Sequence, residues 1–326
     1  MRLVMMGTGL FAEPALEALL AGPHPVVGLV TQPDRAAGAE RGSTRQTGRG
    51  MKTIAEERGV PVLQPESINT SEGVAALQAL RPDLFVVAAY GQILSRDVLA
   101  VPPHGGINVH ASLLPKYRGA APIAWAIYHG ETRTGVTIIK MSTSLDAGDM
   151  LAQEATDIGA DETAGDVEAR LAPLGAKLAL QVIEQIQAGA LQGHKQDPSL
   201  VTKAPKLKKE HGLIDWGRAA GQVSNHVRAM QPWPTAYTFL HRHDQPPLRV
   251  IIYRTGEIAV ASSSADHPAP GCFLLPADNS LWVATGANEA VEIRELQPAG
   301  KRRMSAKDFL RGNKLQAGDR FGPETP

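Results

Sequence analysis

Between residue 1 and about residue 190 the chain alternates short apolar runs with stretches of helical period, and that alternation admits few folds. RLVMMG (2–7), PVVGLVTQ (25–32), VPVLQP (60–65), DLFVVAAYG (83–91), GGINVHASLLP (105–115) and TGVTIIKMS (134–142) read as strands. FAEPALEALLAG, MKTIAEERG, SEGVAALQALRP, LSRDVLAVP and AAPIAWAIYHG lie between them and read as helices or connections. From Thr163 to Gly189 a longer helix is expected, because Val167, Leu171, Leu174, Leu178, Val182 and Ile186 recur at helical spacing. Strand and helix in alternation predict an α/β fold: a Rossmann-like, mostly parallel sheet covered by helices on both faces. The pattern then stops. HKQDPSLVTKAPKLKKEHG (194–212) has two prolines, five lysines and no apolar period, which predicts an interdomain linker. Beyond it, short strands punctuated by turns predict a small β-barrel of the oligonucleotide-binding type. The expected organisation is a domain over 1–193, a linker over 194–212 and a barrel domain over 213–326.

Composition narrows the class. With 43% hydrophobic and 20% charged residues the chain has an ordinary globular makeup. The formal net charge is zero, yet residues 206–326 hold 16 Lys and Arg against 12 Asp and Glu, a weak pointer to an anionic partner. Cys272 is the single cysteine, so an intrachain disulfide and a cysteine-built zinc site are excluded, and no metal is expected. No apolar run reaches the length of a membrane span, and MRLVMMGTG lacks a signal-peptide layout, so a cytoplasmic protein is expected. Nothing in the sequence demands more than a monomer.

Two glycine-containing stretches invite a ligand. GTGLFA (7–12) has the G-x-G-x-x-A spacing of a dinucleotide-binding turn, with Asp34 in the place of a ribose-binding acid. The motif is short and common, and a tight strand-to-helix turn explains it equally. PDRAAGAERGSTRQTGRGMK (33–52) carries Arg35, Arg41, Arg45, Arg49 and Lys52 against Asp34 and Glu40. A solvated charged loop is its plain reading; a flexible arm that orders on a polyphosphate chain is the functional one.

INVHASLLP (107–115) is more specific. In a strand, Asn108, His110 and Ser112 share one face while Ile107, Val109 and Ala111 take the other. An amide N–H aimed at a carbonyl oxygen can hold a developing oxyanion, and a nearby imidazole can shuttle a proton. Asp146, in LDAGDM (145–150), supplies a carboxylate after the next strand. If neighbouring strand ends bring it to His110, it orients the ring and raises its pKa. Ser112 is poorly placed as a nucleophile only two residues from His110, so direct acyl transfer to an incoming nucleophile is the expected chemistry.

INVHASLLPKYRGAAPI followed by TGVTIIKMSTSLDAGDML resembles the folate-dependent formyltransferases, and AAYGQILS (88–95) is similar to the segment lining their pterin pocket. GVPVLQPES, LIDWGRAAGQVSNHVRAMQPWPTAY and LQPAGKRRMSAKDFLRG resemble the members of that family that act on aminoacyl-tRNA. The resemblance implies 10-formyltetrahydrofolate as donor co-substrate and initiator methionyl-tRNA as acceptor. It makes Asn108, His110 and Asp146 the catalytic trio. It places folate against Ser112, Leu113, Leu114 and Pro115 and against Tyr90, Gln92, Ile93 and Leu94. A protonated His110 and Asn108 would stabilise the oxyanion. Arg35, Arg41, Arg45, Arg49, Lys206, Lys208 and Lys209 are candidate tRNA contacts. The first turn, GTGLFAE, departs from the usual GTPDFA of the family. A formyltransferase for an amino sugar nucleotide or another small amine is the nearest alternative. A nicotinamide oxidoreductase and a non-catalytic RNA-binding protein are the alternatives from other classes.

Overall fold

The computed structural model describes residues 1–34, 49–260, 268–274, 280–316 and 318–325. β1 (Leu3–Gly7), β2 (Val26–Val30), β3 (Val62–Leu63), β4 (Leu84–Ala88) and β5 (Gly106–His110) run parallel in the order β3-β2-β1-β4-β5. After the short β6 (Arg118–Gly119), β7 (Arg133–Lys140) and β8 (Met150–Asp157) extend the same sheet antiparallel, β7 beside β5. The sheet is therefore mixed. Its strand order reverses between β1 and β4, the kind of crevice where open α/β sheets bind ligands.

Strand length follows chemistry. All five residues of β1 and of β4 are buried, as expected for parallel strands covered on both faces. β3 shrinks to two residues because Pro61 and Pro65 flank it and cannot donate to a ladder. Helices α1 (Glu13–Ala21), α2 (Met51–Glu57), α3 (Ser71–Leu80), α4 (Arg96–Leu99), α5 (Pro122–Tyr128) and α6 (Ala164–Gln187) connect the strands. Thr70 and Ser95 cap α3 and α4 by accepting from Gly73 N and Val98 N. One sheet face is filled by Val4, Met6, Val30, Phe85 and Val87 against Ile68, Leu77, Leu94 and Val98. The long α6 presses on the sheet through Gly175, where an added Cβ would sit 2.6 Å from Val109 Cγ1. Val109 thus faces α6, and the alternation of β5 turns Asn108 and His110 to the other side.

The chain divides into two compact units. The first holds residues 1–126, 132–159 and 166–206; the second holds 127–131, 160–165 and 207–326. The 194–212 segment is an ordered strap: β9 (Lys203–Ala204) pairs with β6, and Met150 and His194 exchange backbone hydrogen bonds. In the second unit α7 (Ala220–Ala229) precedes β10 (Ala236–His241), β11 (Leu248–Val260), β12 (Phe273–Leu274), β13 (Leu281–Thr285), β14 (Glu289–Pro298), β15 (Met304–Ser305), α8 (Ala306–Gly312) and β16 (Arg320–Gly322). The antiparallel order is β12-β13-β14-β11-β10-β16, with β15 against β14. A bridge between Cys272 and Arg320 ties the two ends of that order together, so the sheet curls round to meet itself. Leu248–Val260 forms the single strand β11, although Thr255 and Gly256 at its middle look like a turn between two strands: the ladder register shifts there, a bulge instead of a turn. At Gly256 a Cβ would lie 1.9 Å from Glu292 Oε2, so a larger residue there would have to push the Glu292 and Arg294 side chains aside. No described helix is long and apolar enough to cross a membrane.

His226, on α7, is buried, and its Nε2 donates to the His211 carbonyl at 2.8 Å. Burial pushes its pKa down to about 4, and the nearby Arg218 adds to the fall against the stabilising carbonyl. The unfolded chain takes up this proton near the ordinary histidine value, the folded unit only near 4. Stability is therefore expected to fall as pH drops through that window, by about 3 kcal/mol in total from this residue. Urea titrations at pH 7 and pH 4.5 check this. His226→Gln should flatten the slope of stability against pH.

Candidate active site

β5 ends in a half-buried Asn108 and a His110 only 5% exposed. The His110 Nε2 lies 2.9 Å from the Tyr117 carbonyl oxygen. A carbonyl only accepts, so Nε2 carries a proton and donates it. The other nitrogen, Nδ1, faces Asp146 Oδ2 at 3.6 Å. Asp146 Oδ1 accepts from Asn108 Nδ2 at 3.3 Å, and Oδ2 accepts from the Gly119 backbone N at 2.9 Å. Amide, ring and carboxylate thus meet around one point.

The route by which Asp146 arrives corrects the expectation from neighbouring strand ends. β7 is antiparallel to β5, so Lys140, its last residue, lies beside Ile107 near the start of β5. The chain after β7 must fold back to bring Asp146 to His110. It does so in a sharp loop, with Asp146 at φ +48 and Gly148 so close to Lys140 that a Cβ would sit 1.6 Å from its carbonyl oxygen. Gly119 is constrained as well: its φ is +132, and a Cβ would lie 2.3 Å from the Ala204 oxygen.

The expected rise in the His110 pKa is also overturned. Burial lowers it, outweighing the opposing pull of the Asp146 charge and the Tyr117 carbonyl, while Arg118 lowers it further. The resting ring is neutral with the proton on Nε2, not the protonated imidazole first expected. Its Nδ1, which faces the carboxylate, is the ring nitrogen left to take up a proton.

Of the residues expected to line a folate site, Tyr90, Leu94, Ser112 and Leu114 turn their side chains inward, at 0–3% exposure. What they can offer a ligand is main chain. The Gln92 amide is engaged, accepting from Ile68 N at 3.0 Å and donating to the Glu66 carbonyl at 3.2 Å. Leu113 and Pro115 are half-buried, whereas Ile93 is 67% exposed, as is Leu145 (59%) just before Asp146. Ser112 Oγ donates to the Lys116 carbonyl at 2.7 Å, and both His110 nitrogens face other groups, so His110 does not activate this serine. Thr137 holds the segment in place: its Oγ1 donates to Ser112 O and accepts from Leu114 N.

At the first turn, Gly7 has no room for a side chain, because a Cβ would meet Ala12 Cβ at 2.7 Å and the Ala88 oxygen at 2.8 Å. That crowding explains the glycine without a dinucleotide. Asp34, the supposed ribose-binding acid, is instead engaged by Lys52 at 2.6 Å and Gln64 at 2.9 Å, which lower its pKa. Arg35, Arg41 and Arg45 lie outside the described residues. Arg49 is exposed and pairs with Glu57 and Glu17. Lys206, Lys208 and Lys209 are exposed, with Lys208 3.5 Å from Glu210.

Gln196 escaped the sequence reading altogether. Its Nε2 lies 2.8 Å from the carbonyls of both Asp146 and Gly148, and its Oε1 accepts from Arg118 Nε and Nη2 at 3.0 and 2.8 Å. No periodicity marks such a residue; the only cue is a polar side chain in a segment otherwise dismissed as linker.

Comparison with known proteins assigns the class. Residues 1–183 match the formyl transferase family and residues 206–314 the formyl transferase C-terminal domain, so the chain belongs to the formyl transferase family. Methionyl-tRNA formyltransferase of Citrifermentans bemidjiense is 46% identical, over 99% of this chain and 96% of that protein. Its counterpart in Bacillus subtilis is 40% identical over 98% of both. Among solved structures, an N-formyltransferase from Helicobacter canadensis, complexed with folinic acid and dTDP-3-aminofucose, is similar with a TM-score of 0.64. That match covers 90% of this chain and 98% of the other at 16% identity, a likeness of fold.

Gly119→Ala is expected to destabilise the first unit by about 2–4 kcal/mol, through a strained φ and a backbone clash. Chemical denaturation measures it. A loss within 0.5 kcal/mol, roughly the scatter of neutral surface changes, would contradict the tight β6–β9 contact.

Proposed function

We propose that this protein transfers the formyl group of 10-formyltetrahydrofolate to the free amino group of methionyl-initiator-tRNA, directly and with no covalent enzyme intermediate. One observation carries the chemistry: a single carboxylate, Asp146, reaches Asn108 and faces Nδ1 of His110, the ring nitrogen not engaged by the Tyr117 carbonyl. Relatives named methionyl-tRNA formyltransferase, similar over nearly the whole chain, support the acceptor. Transfer to an amino sugar nucleotide has support at the level of fold alone, from structures such as the one 16% identical.

In the reaction the amine nitrogen bonds to the formyl carbon and the carbonyl oxygen becomes an oxyanion. Asn108 Nδ2 carries two hydrogens; one goes to Asp146, and the second is available to the oxyanion. His110 Nδ1 takes the amine proton, and Asp146 stabilises the imidazolium so formed. That proton then passes to the folate nitrogen as its bond to the formyl carbon breaks. The main chain of Tyr90–Leu94 and Ser112–Pro115 would hold the folate. Ile93 and Leu145 fit the role of apolar flanks, since each is large, apolar and exposed. Covering either one would contribute about 1.5–3 kcal/mol.

Residues 1–193 would then form the catalytic domain. Residues 213–326, with the 194–212 segment, would carry the tRNA, Lys206, Lys208 and Lys209 meeting phosphates together with Arg35, Arg41, Arg45 and Arg49.

With charged initiator tRNA and 10-formyltetrahydrofolate, the purified protein should yield formylmethionyl-tRNA; no product at saturation refutes the assignment. Asn108→Ala is expected to lower kcat about 100- to 1000-fold, the usual cost of one oxyanion donor. Replacing Lys206, Lys208 and Lys209 together by Gln should reduce the slope of log Kd for tRNA against log salt by about 2–3. An unchanged slope would remove these lysines from the interface.

A further inference from the structure

We infer that Gln196 is a positioning residue for the transfer reaction: its side-chain amide clamps the loop that presents Asp146 to Asn108 and His110. This inference rests on the formyl-transfer reading above and adds a residue from the strap beyond the catalytic strands.

The loop needs an external hold. Asp146 is a non-glycine residue in the left-handed region at φ +48, a conformation that costs about 1–2 kcal/mol and persists only where the surroundings enforce it. The carboxylate is held from one side by Asn108 and the Gly119 N–H. The backbone of the same residue is held from the other side by Gln196. Its Nε2 donates to the carbonyls of Asp146 and Gly148, both at 2.8 Å, so one amide spans the turn on either side of Ala147.

The other end of the amide is also committed. Oε1 accepts two hydrogen bonds from the Arg118 guanidinium, whose neighbour Gly119 donates to the Asp146 carboxylate. Gln196 therefore joins the two segments that grip Asp146. The same strap reaches the imidazole's support: Thr202 Oγ1 accepts from Tyr117 N at 2.8 Å, and the Tyr117 carbonyl accepts from His110. A glutamine suits this place because it presents a donor and an acceptor at once. A glutamate of the same shape keeps the acceptor for Arg118 but turns an oxygen towards two carbonyl oxygens.

The test is steady-state formylation by the full-length protein, comparing wild type with Gln196→Met and Gln196→Glu, with thermal melts of all three. Misplacing a catalytic group by about 1 Å costs on the order of 100-fold. Both variants are therefore expected to lose about 10- to 100-fold in kcat, with KM for each substrate within about twofold and Tm within a few degrees of wild type. A Gln196→Met enzyme with wild-type kcat overturns the inference. So does Gln196→Glu at wild-type kcat beside an impaired Gln196→Met, since holding Arg118 would then be the whole effect. A rise in KM with kcat unchanged would make Gln196 a binding residue and overturn it as well. If Gln196→Met fails to fold, Gln196→Glu alone decides by its kcat. Failure of the underlying reading is separate: it shows as a wild-type protein that forms no formylmethionyl-tRNA.

Discussion

A nearly buried carboxylate survives only where N–H groups surround it, and the candidate site is arranged around that demand from Asp146. Its side chain is 10% exposed and takes one hydrogen bond from a side-chain amide and one from a backbone N–H. Those donors come from β5 and β6, and the loop itself comes from the chain after β7. β6 is in turn held by β9 in the strap, so four separate segments must be in register before one carboxylate is satisfied. The glycines at 119 and 148 are consequences of the same crowding.

The proton inventory follows from a contest between burial and charge. A carboxylate 3.6 Å from an imidazole favours the imidazolium, yet the ring is so thoroughly removed from water that its neutral form prevails. The Tyr117 carbonyl then decides which nitrogen keeps the single proton. In the proposed reaction such a ring would receive the proton of the attacking amine, and the carboxylate 3.6 Å away would stabilise the resulting cation. The same physics runs without a catalytic consequence at His226, where burial again wins and a backbone carbonyl again fixes the tautomer.

The second unit obeys a different logic. Its strands are paired antiparallel, and the Cys272–Arg320 bridge joins the two ends of the strand order. Trp216 stacks on Phe321 with ring centroids 5.6 Å apart, and its indole N–H reaches Thr238. The unit's longer strands were visible in the sequence, apart from the bulge that passed for a turn, whereas the short β15 and β16 carry too few residues to show a period and were not read.

What the sequence determined by itself was periodicity and local chemistry: the alternation of strand and helix, and Asn108 and His110 two residues apart on one strand face. Those features are local, because neighbours within a strand have fixed relative directions whatever the rest of the chain does. Asp146 was legible as a carboxylate in a turn, but its path to His110 was not, since strand direction in a sheet is a property of pairing partners distant in sequence. The protonation of His110 was misjudged for a related reason: a neighbouring charge can be guessed from sequence, whereas the exclusion of water is set by everything packed around the ring. Gln196 was invisible, because its worth lies in partners distant in sequence: the carbonyls of residues 146 and 148, about fifty positions away, and the guanidinium of Arg118. Only the folded chain brings those dipoles together, and only there does a polar residue in an apparent linker acquire a definite task.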